Sequence, residues 1–373
     1  MDRRQSGQAG RAEQAEQAEQ AGEMMNSQQP AITEVSVIIP TYNEEMYITG
    51  VLQSLVDQLF RGHIEIIIVD GASTDRTVAI IGKIRERLPL NRSIVLLSNP
   101  KRHIPVSLNL ACQQASSELL IRLDGHTFAP ANYITEVIRM LEAEGGNQAV
   151  CGGRIQIEPG LPTTMAKAIT VAVSHPVGIG NALYRTSNGT DQRCVEVDTV
   201  PFASFTKQLW TELGGFDEFL LYDEDSDFNF RAKQLGYKVL LNPGIVFTYF
   251  SRPTIELLGK QYYRYGYWVS KFLVKHKRVP TLRRLAPSAF LAAVVFLGFI
   301  HVGLWLFMLL AYTAVIAAVS FHEGVIKRKS PWLWLRLIPV FPVLHLSYGV
   351  GNVMGLVTSM GLPFHGRSFM SYK

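Results

Sequence analysis

From Ala286 to Phe321 the sequence is almost uninterrupted hydrocarbon, and a run of that kind is read as membrane-spanning. Coiled as one α-helix it would measure about 54 Å against a bilayer core of about 30 Å. As two helices each would be about 27 Å, a slightly short fit. The flanking charges choose between these. Lys271, Lys275, Lys277, Arg278, Arg283 and Arg284 precede the run, and Lys327, Arg328, Lys329 and Arg336 follow it. A single span would leave the two clusters on opposite faces, whereas a hairpin keeps both inside. A hairpin is therefore expected, with spans over 286–303 and 305–321. A third apolar stretch, 337–360, is broken by Pro339 and Pro342, and both crossing and re-entry fit it. Its polar residues His345, Ser347 and Asn352 fit helix-packing contacts or contact with a lipid acceptor, and packing is the expected role.

Hydrophobic residues make up 47% of the chain and charged residues 18%. Nearly all of the apolar excess lies beyond residue 285, so the pattern is a soluble domain followed by a membrane anchor. The formal charge of +5 reflects one basic cluster, and no nucleic-acid partner is expected. Cys112, Cys151 and Cys194 lack metal-ligand spacing and read as single buried thiols. Residues 1–33, with Ala-Glu-Gln repeats and no apolar core, read as a disordered tail rather than a secretory signal.

Within the soluble part, Val35-Ser-Val-Ile-Ile-Pro40, Ile64 to Val69, Ser93 to Leu97 and Glu118 to Leu123 are short apolar runs separated by helical patterns. That alternation predicts an α/β domain with a parallel, doubly wound sheet. Right-handed crossovers place the polar ends of the runs, at Thr41, Asp70 and Asp124, on one edge, where ligands of such sheets bind. Asp124 and His126 flank Gly125 and can reach one divalent ion, although an Asp-Gly pair after a strand is also a plain turn. Neither Gly-x-Gly-x-x-Gly nor a Walker lysine loop is present, so a nucleotide would be held by acidic side chains with a cation between them and the phosphates.

Three stretches carry a resemblance: Val35-Ser-Val-Ile-Ile-Pro-Thr-Tyr-Asn-Glu-Glu45, Val69-Asp-Gly-Ala-Ser-Thr-Asp-Arg-Thr77 and Leu123-Asp-Gly-His126. Together they resemble the opening motifs of the family 2 glycosyltransferases, over roughly residues 35–250. The resemblance implies a GT-A (Rossmann-like) nucleotide-sugar domain, taken as 34–252, and inversion at the anomeric centre. It implies that Pro40, Thr41, Glu44 and Asp70, with Asp124, hold the nucleotide sugar. Asp124 and His126 take the place of the family's Asp-x-Asp and would ligate the divalent cation. Imidazole suits Mn²⁺ better than Mg²⁺.

Further on, Tyr222-Asp-Glu-Asp-Ser-Asp-Phe-Asn-Phe-Arg231 opens a helix that Gly236 should stop. Acids in a first helical turn are stabilised by about 0.3–1 kcal/mol each, which accounts for any one of them but not for the block. Glu224-Asp225-Ser226-Asp227 is similar to the family's Glu-Asp-x-Asp motif. An inverting transfer needs one carboxylate to take the acceptor proton, a contribution of about 10²–10⁴-fold. Asp225 is the expected base, with Glu224 in support. The stretch from Thr163 to Asp191 looks irregular, so it is equally a binding loop or a surface excursion.

Ile255 to Val274 interleaves aromatics with Lys260, Arg264 and Lys271, as an interfacial helix would. The polybasic residues after it, up to position 284, are expected to meet anionic lipid. Gln261-Tyr-Tyr-Arg-Tyr265 resembles the family's Gln-x-x-Arg-Trp motif, so Gln261, Arg264 and Tyr265 are expected to contact acceptor or donor. The arrangement as a whole resembles bacterial exopolysaccharide enzymes of the succinoglycan type. The expected activity is transfer of a hexose, from a UDP-hexose, to a polyprenyl-linked glycan at the cytoplasmic face of the cell membrane. A processive synthase and a catalytically inactive membrane scaffold are the competing readings.

Overall fold

The computed structural model describes residues 32–144, 148–186, 193–278 and 281–360. The Ala-Glu-Gln repeats, Gly145-Gly146, the end of the 163–191 stretch and the tail 365–373 lie outside the described residues. In chain order come β1 (Glu34–Thr41), α1 (Ile48–Val56), β2 (His63–Asp70), α2 (Thr77–Arg85), β3 (Arg92–Ser98), α3 (Ile104–Gln114) and β4 (Leu119–Arg122). These are followed by α4 (Tyr133–Ala143), β5 (Ala149–Pro159), α5 (Thr164–Ser174) and the short turns α6 (Pro176–Ile179) and α7 (Leu183–Thr186). The domain then closes with β6 (Val195–Glu196), β7 (Ser204–Thr206), α8 (Lys207–Glu212), α9 (Glu224–Gln234) and β8 (Lys238–Ser251). Last are α10 (Ile255–His276), α11 (Ala286–Ile300), α12 (Val302–Phe321) and α13 (Pro331–Ser359).

The strands form one eight-stranded sheet in the order β3-β2-β1-β4-β7-β5-β8-β6. Its first four strands are parallel, as their continuous apolar runs require of strands buried on both faces. Val35, Val37, Ile38 and Ile39 of β1 are fully buried. The doubly wound expectation holds only for this half. β7 enters antiparallel to β4 and β5, and β6 antiparallel to β8, so the sheet as a whole is mixed. The stretch read as irregular contains a regular helix, α5, whose Ala166, Ala168, Ile169 and Ala172 are buried. Cys112 and Cys151 are buried as expected, but Cys194 is exposed.

Three segments are long and apolar enough to cross a bilayer: Arg283–Ile300, Val302–Lys327 and Pro331–Ser359. The first two break at His301, whose side chain accepts the Leu304 N–H and so caps α12. Phe290 and Tyr312, nearly equidistant from that break, stack with ring centroids 4.7 Å apart, so the pair folds back on itself as a hairpin. The break falls at residue 301 rather than 304, and the third helix starts at Pro331 rather than 337.

α13 does not stand apart from the rest. It packs along α10 and also on α5, burying Leu337, Val340, Phe341 and Leu344. The α10 contact is a close one between backbones. A Cβ on Gly351 would lie 2.0 Å from the Tyr263 carbonyl, one on Gly266 2.0 Å from that of Tyr348, and one on Gly355 2.3 Å from that of Tyr267. Small residues permit such approach between helices. The amphipathic α10 therefore lays its aromatic face on a helix of the anchor. Asn352 and Ser270 fasten the pair, the Ser270 hydroxyl donating to the Asn352 carbonyl at 2.6 Å. Gly351→Val is expected to lower the thermal midpoint in detergent by the equivalent of about 1–3 kcal/mol, since a carbonyl inside a helix cannot move aside. An unchanged midpoint would contradict this packing.

Candidate active site

Strand order reverses between β1 and β4, which is where open α/β sheets bind ligands. β1 ends at Pro40 and Thr41, and Thr41 is in register with Asp70 at the end of β2. Both Asp70 carboxylate oxygens are taken by Ser73, from its N–H at 2.8 Å and its hydroxyl at 2.6 Å. Asp70 therefore ties down its own loop. The Thr41 hydroxyl is buried without a hydrogen-bond partner among the described residues.

β4 runs out into the turn Asp124-Gly125-His126, closed by the Thr127 N–H on the Asp124 carbonyl at 3.0 Å. Only glycine fits its centre, because a Cβ there would lie 2.8 Å from Glu44 Cγ and 3.1 Å from Thr41 Cγ2. This close approach brings Glu44 Oε1 to 2.9 Å from His126 Nδ1. Burial disfavours the His126 imidazolium, but the hydrogen bond and charge of Glu44 outweigh it and raise the pKa. The other ring nitrogen, Nε2, makes no hydrogen bond among the described residues. A metal-bound imidazole typically holds a carboxylate through its second nitrogen. The Asp124 carboxylate and His126 Nε2 are thus chemically fit to hold a divalent cation. Among the described residues no group of three or more His, Cys, Asp or Glu converges on one point. Any cation here would have its shell completed by a phosphate and water, as is common for Mg²⁺ at phosphate sites.

A second group reaches the same place from far along the chain. Arg122, the one charge in the β4 run, donates from Nη2 to Glu224 at 2.8 Å and to Asp124 at 3.3 Å, with side-chain exposures of 8% for Arg122 and 6% for Glu224. It joins the strand-end acid to the acidic helix α9. Asp223, in the left-handed conformation at φ 65°, precedes α9 and pairs with Arg284 at 3.0 Å. Burial pushes the Glu224 carboxyl up to about 7, against the Arg122 charge and with added repulsion from Asp225. Burial likewise pushes Asp223 up to about 6, opposed by Arg284 and reinforced by Asp225. Asp225 itself accepts one hydrogen bond, from the Ser226 N–H to Oδ1 at 2.7 Å. Its second oxygen makes none among the described residues.

Asp124 and Asp225 line one cavity of about 550 Å³, which continues past Tyr249, Tyr262 and Tyr265 to Phe290, Tyr312 and Tyr348 of the anchor. Glu224 does not line it and is bound to Arg122 instead. Pro40, Thr41, Glu44, Asp70 and His126 also lie outside the lining, with Thr41 and Glu44 pressed against the Asp124 turn. Tyr265 lines the cavity. Gln261 donates to the hydroxyls of both Tyr265 and Tyr249 at 3.1 Å, so it orients them without lining the space. Arg264 turns towards Tyr222, 3.3 Å from its hydroxyl, and does not reach the cavity.

Several residues here were not anticipated. Arg122 was marked only by being an arginine inside an apolar strand. Three of the six basic residues assigned to anionic lipid instead pair with acids of the domain. Lys275 is 2.6 Å from Asp217 and 2.5 Å from Asp227, Arg283 is 2.8 Å from Asp198, and Arg284 holds Asp223. The stretch 163–191, read as equally a binding loop or a surface excursion, supplies Gly178, Gly180 and Arg185 to the cavity lining.

Comparison with known proteins identifies the family. A model described as Glycosyl transferase family 2 matches residues 36–200, and one described as Glycosyl transferase family group 2 matches 197–344. The succinoglycan biosynthesis protein ExoA of Rhizobium meliloti is 26% identical over 88% of this chain and 96% of its own. A dolichyl N-acetyl-alpha-D-glucosaminyl phosphate 3-beta-D-2,3-diacetamido-2,3-dideoxy-beta-D-glucuronosyltransferase of Methanococcus voltae is 27% identical over 87% of this chain and 97% of its own. The mannosyltransferase PcManGT of Pyrobaculum calidifontis, solved with GDP-Man and Mn²⁺, superposes with a TM-score of 0.59 at 18% identity over 88% of each chain, a likeness of fold. Consecutive family matches from Ser36 to Leu344 span both the strand-end turn and the acidic helix, and the chain belongs to the family 2 glycosyltransferases.

Proposed function

We propose that the protein transfers a hexose from a nucleotide diphosphate sugar, with inversion, to a lipid-linked glycan at the cytoplasmic face of the membrane. The reading is carried by one observation: the carboxylates Asp124 and Asp225 share a cavity with aromatic residues of the apolar helices. The names of the relatives, one from succinoglycan biosynthesis and one acting on a dolichyl phosphate sugar, support an acceptor of that kind. The hairpin of α11 and α12, with basic residues on both flanks, supports the cytoplasmic orientation.

In this mechanism the nucleotide lies along the strand ends formed by Pro40, Thr41, Glu44 and Asp70, with its diphosphate towards the Asp124 turn. A divalent cation held by Asp124 and His126 Nε2 would offset charge developing on the departing diphosphate. Asp225 takes the acceptor hydroxyl proton on its unoccupied carboxylate oxygen, on the face opposite the leaving group. Arg122 clamps Glu224 at the helix start and so fixes where Asp225 points. Tyr265 and Tyr249, oriented by Gln261, present flat faces to a sugar ring. The test is release of nucleoside diphosphate by the purified protein, with Mn²⁺ or Mg²⁺, from a panel of nucleotide sugars. One donor, a UDP-hexose, should be hydrolysed well above the rest. No release from any donor, with either ion, would defeat the proposal.

A further inference from the structure

Four arginines line the cavity: Arg122, Arg185, Arg283 and Arg284. Three of them have carboxylates, as described above. Arg185 has none among the described residues. Its Nη1 reaches the Tyr262 hydroxyl at a long 3.4 Å, its guanidinium lies 5.5 Å from the Tyr184 ring centroid, and its Nε is buried with no hydrogen-bond partner. Arg185 is half-buried at the cavity wall, and the planar fork of donors of a guanidinium fits phosphate oxygens.

We infer that Arg185 is the receptor for the phosphate of the lipid that carries the acceptor. This deepens the proposed function and rests on it. The surroundings separate that phosphate from the donor's. The donor diphosphate belongs with Asp124 and His126, where Arg122 is already neutralised by two carboxylates. Arg185 stands instead among Tyr249, Tyr262 and Tyr265, in a cavity whose other wall is Phe290, Leu344 and Tyr348 from α11 and α13. An amphipathic ligand fits this arrangement end to end. Its hydrocarbon lies against the anchor helices, its phosphate on Arg185, and its sugar hydroxyl at Asp225. The helices of the anchor are therefore part of the acceptor site as well as a tether. Arg185 is a specificity determinant, reading the phosphate rather than the sugar.

The test measures binding of farnesyl phosphate and of farnesol to the full-length protein in detergent. Wild type should bind farnesyl phosphate at least about tenfold tighter than farnesol, in keeping with charge-assisted hydrogen bonds to a half-buried guanidinium. Arg185→Gln should lose that preference while keeping the affinity for farnesol, which also shows that the variant is folded. Arg185→Lys should keep part of the preference, through charge without the fork. Equal binding of the two ligands by wild type, or an undiminished preference in Arg185→Gln, would overturn the assignment. Displacement of farnesyl phosphate by UDP or GDP with Mn²⁺ would assign the anion to the donor, and displacement by phosphatidylglycerol would assign it to bulk lipid. Either of those also overturns it. A wild type that prefers farnesyl phosphate yet releases no nucleoside diphosphate from any donor would leave this site standing and defeat the enzyme reading alone.

Discussion

Asp225→Asn is expected to lower kcat for sugar transfer by about 10²- to 10⁴-fold, the usual contribution of a positioned general base. The thermal midpoint should barely change. The side chain lines a cavity, is only partly buried and accepts one hydrogen bond, from the Ser226 backbone, which an amide oxygen can also accept. What the amide cannot do is take a proton. Steady-state kinetics on donor and lipid acceptor separate this from a binding defect: kcat should fall while both KM values stay near those of the parent. A variant that keeps more than about a tenth of the activity would move the base elsewhere. Glu224→Gln provides the contrast. Glu224 touches Arg122 rather than the cavity, so its loss acts by letting the α9 start shift.

The second large effect concerns stability. Asp227 is completely buried, and its carboxylate meets Arg231 at 2.7 Å, Lys275 at 2.5 Å and His276 at 2.7 Å. Asp227→Ala would leave Arg231 and His276 without their anion and Lys275 with Asp217 alone, a loss of about 3–5 kcal/mol for a broken buried pair. Lys275 and His276 come from α10, so the same change loosens the acidic helix from the segment that leads into the membrane. The pH dependence has a definite sign. Burial opposes the Asp227 anion, but Arg231, Lys275 and His276 outweigh it and hold its pKa below the ordinary 3.8. A folded-state pKa below the unfolded one adds stability that is present above the unfolded value and lost as pH falls through the folded one. Parent stability should therefore decline more steeply than the variant's below about pH 4. Parallel acid-unfolding curves for the two proteins would contradict this.

The parts of the fold that could be read from sequence were those set by local pattern. Apolar runs ending in Thr41, Asp70 and Asp124 dictate buried parallel strands, and the acids from Glu224 to Asp227 followed by Gly236 dictate a capped helix. Longer-range choices were hidden. Nothing near β7 announces an antiparallel insertion between β4 and β5. α5 looked irregular because Gly178 and Gly180 follow it, yet its Ala and Val face becomes helical once α13 covers it. The basic residues from Lys275 to Arg284 have no acid beside them in sequence, so lipid was the natural partner. The partners of Lys275, Arg283 and Arg284, which are Asp198, Asp217, Asp223 and Asp227, come from other elements. The site shows the same division. Asp124, His126 and Asp225 announce themselves by residue type and setting. Arg122 and Arg185 matter only because of what stands across from them, and for Arg185 because no carboxylate among the described residues does.

One measurement addresses the central claim most directly. Purified protein, reconstituted with extracted membrane lipid, is given the radiolabelled nucleotide sugar that the donor panel selects, and label is counted in the organic phase. The account predicts that the label enters lipid with wild type and falls to about a hundredth or less of that with Asp225→Asn, the size of a lost general base. Label that stays in water with wild type, or that enters lipid equally with Asp225→Asn, would contradict it.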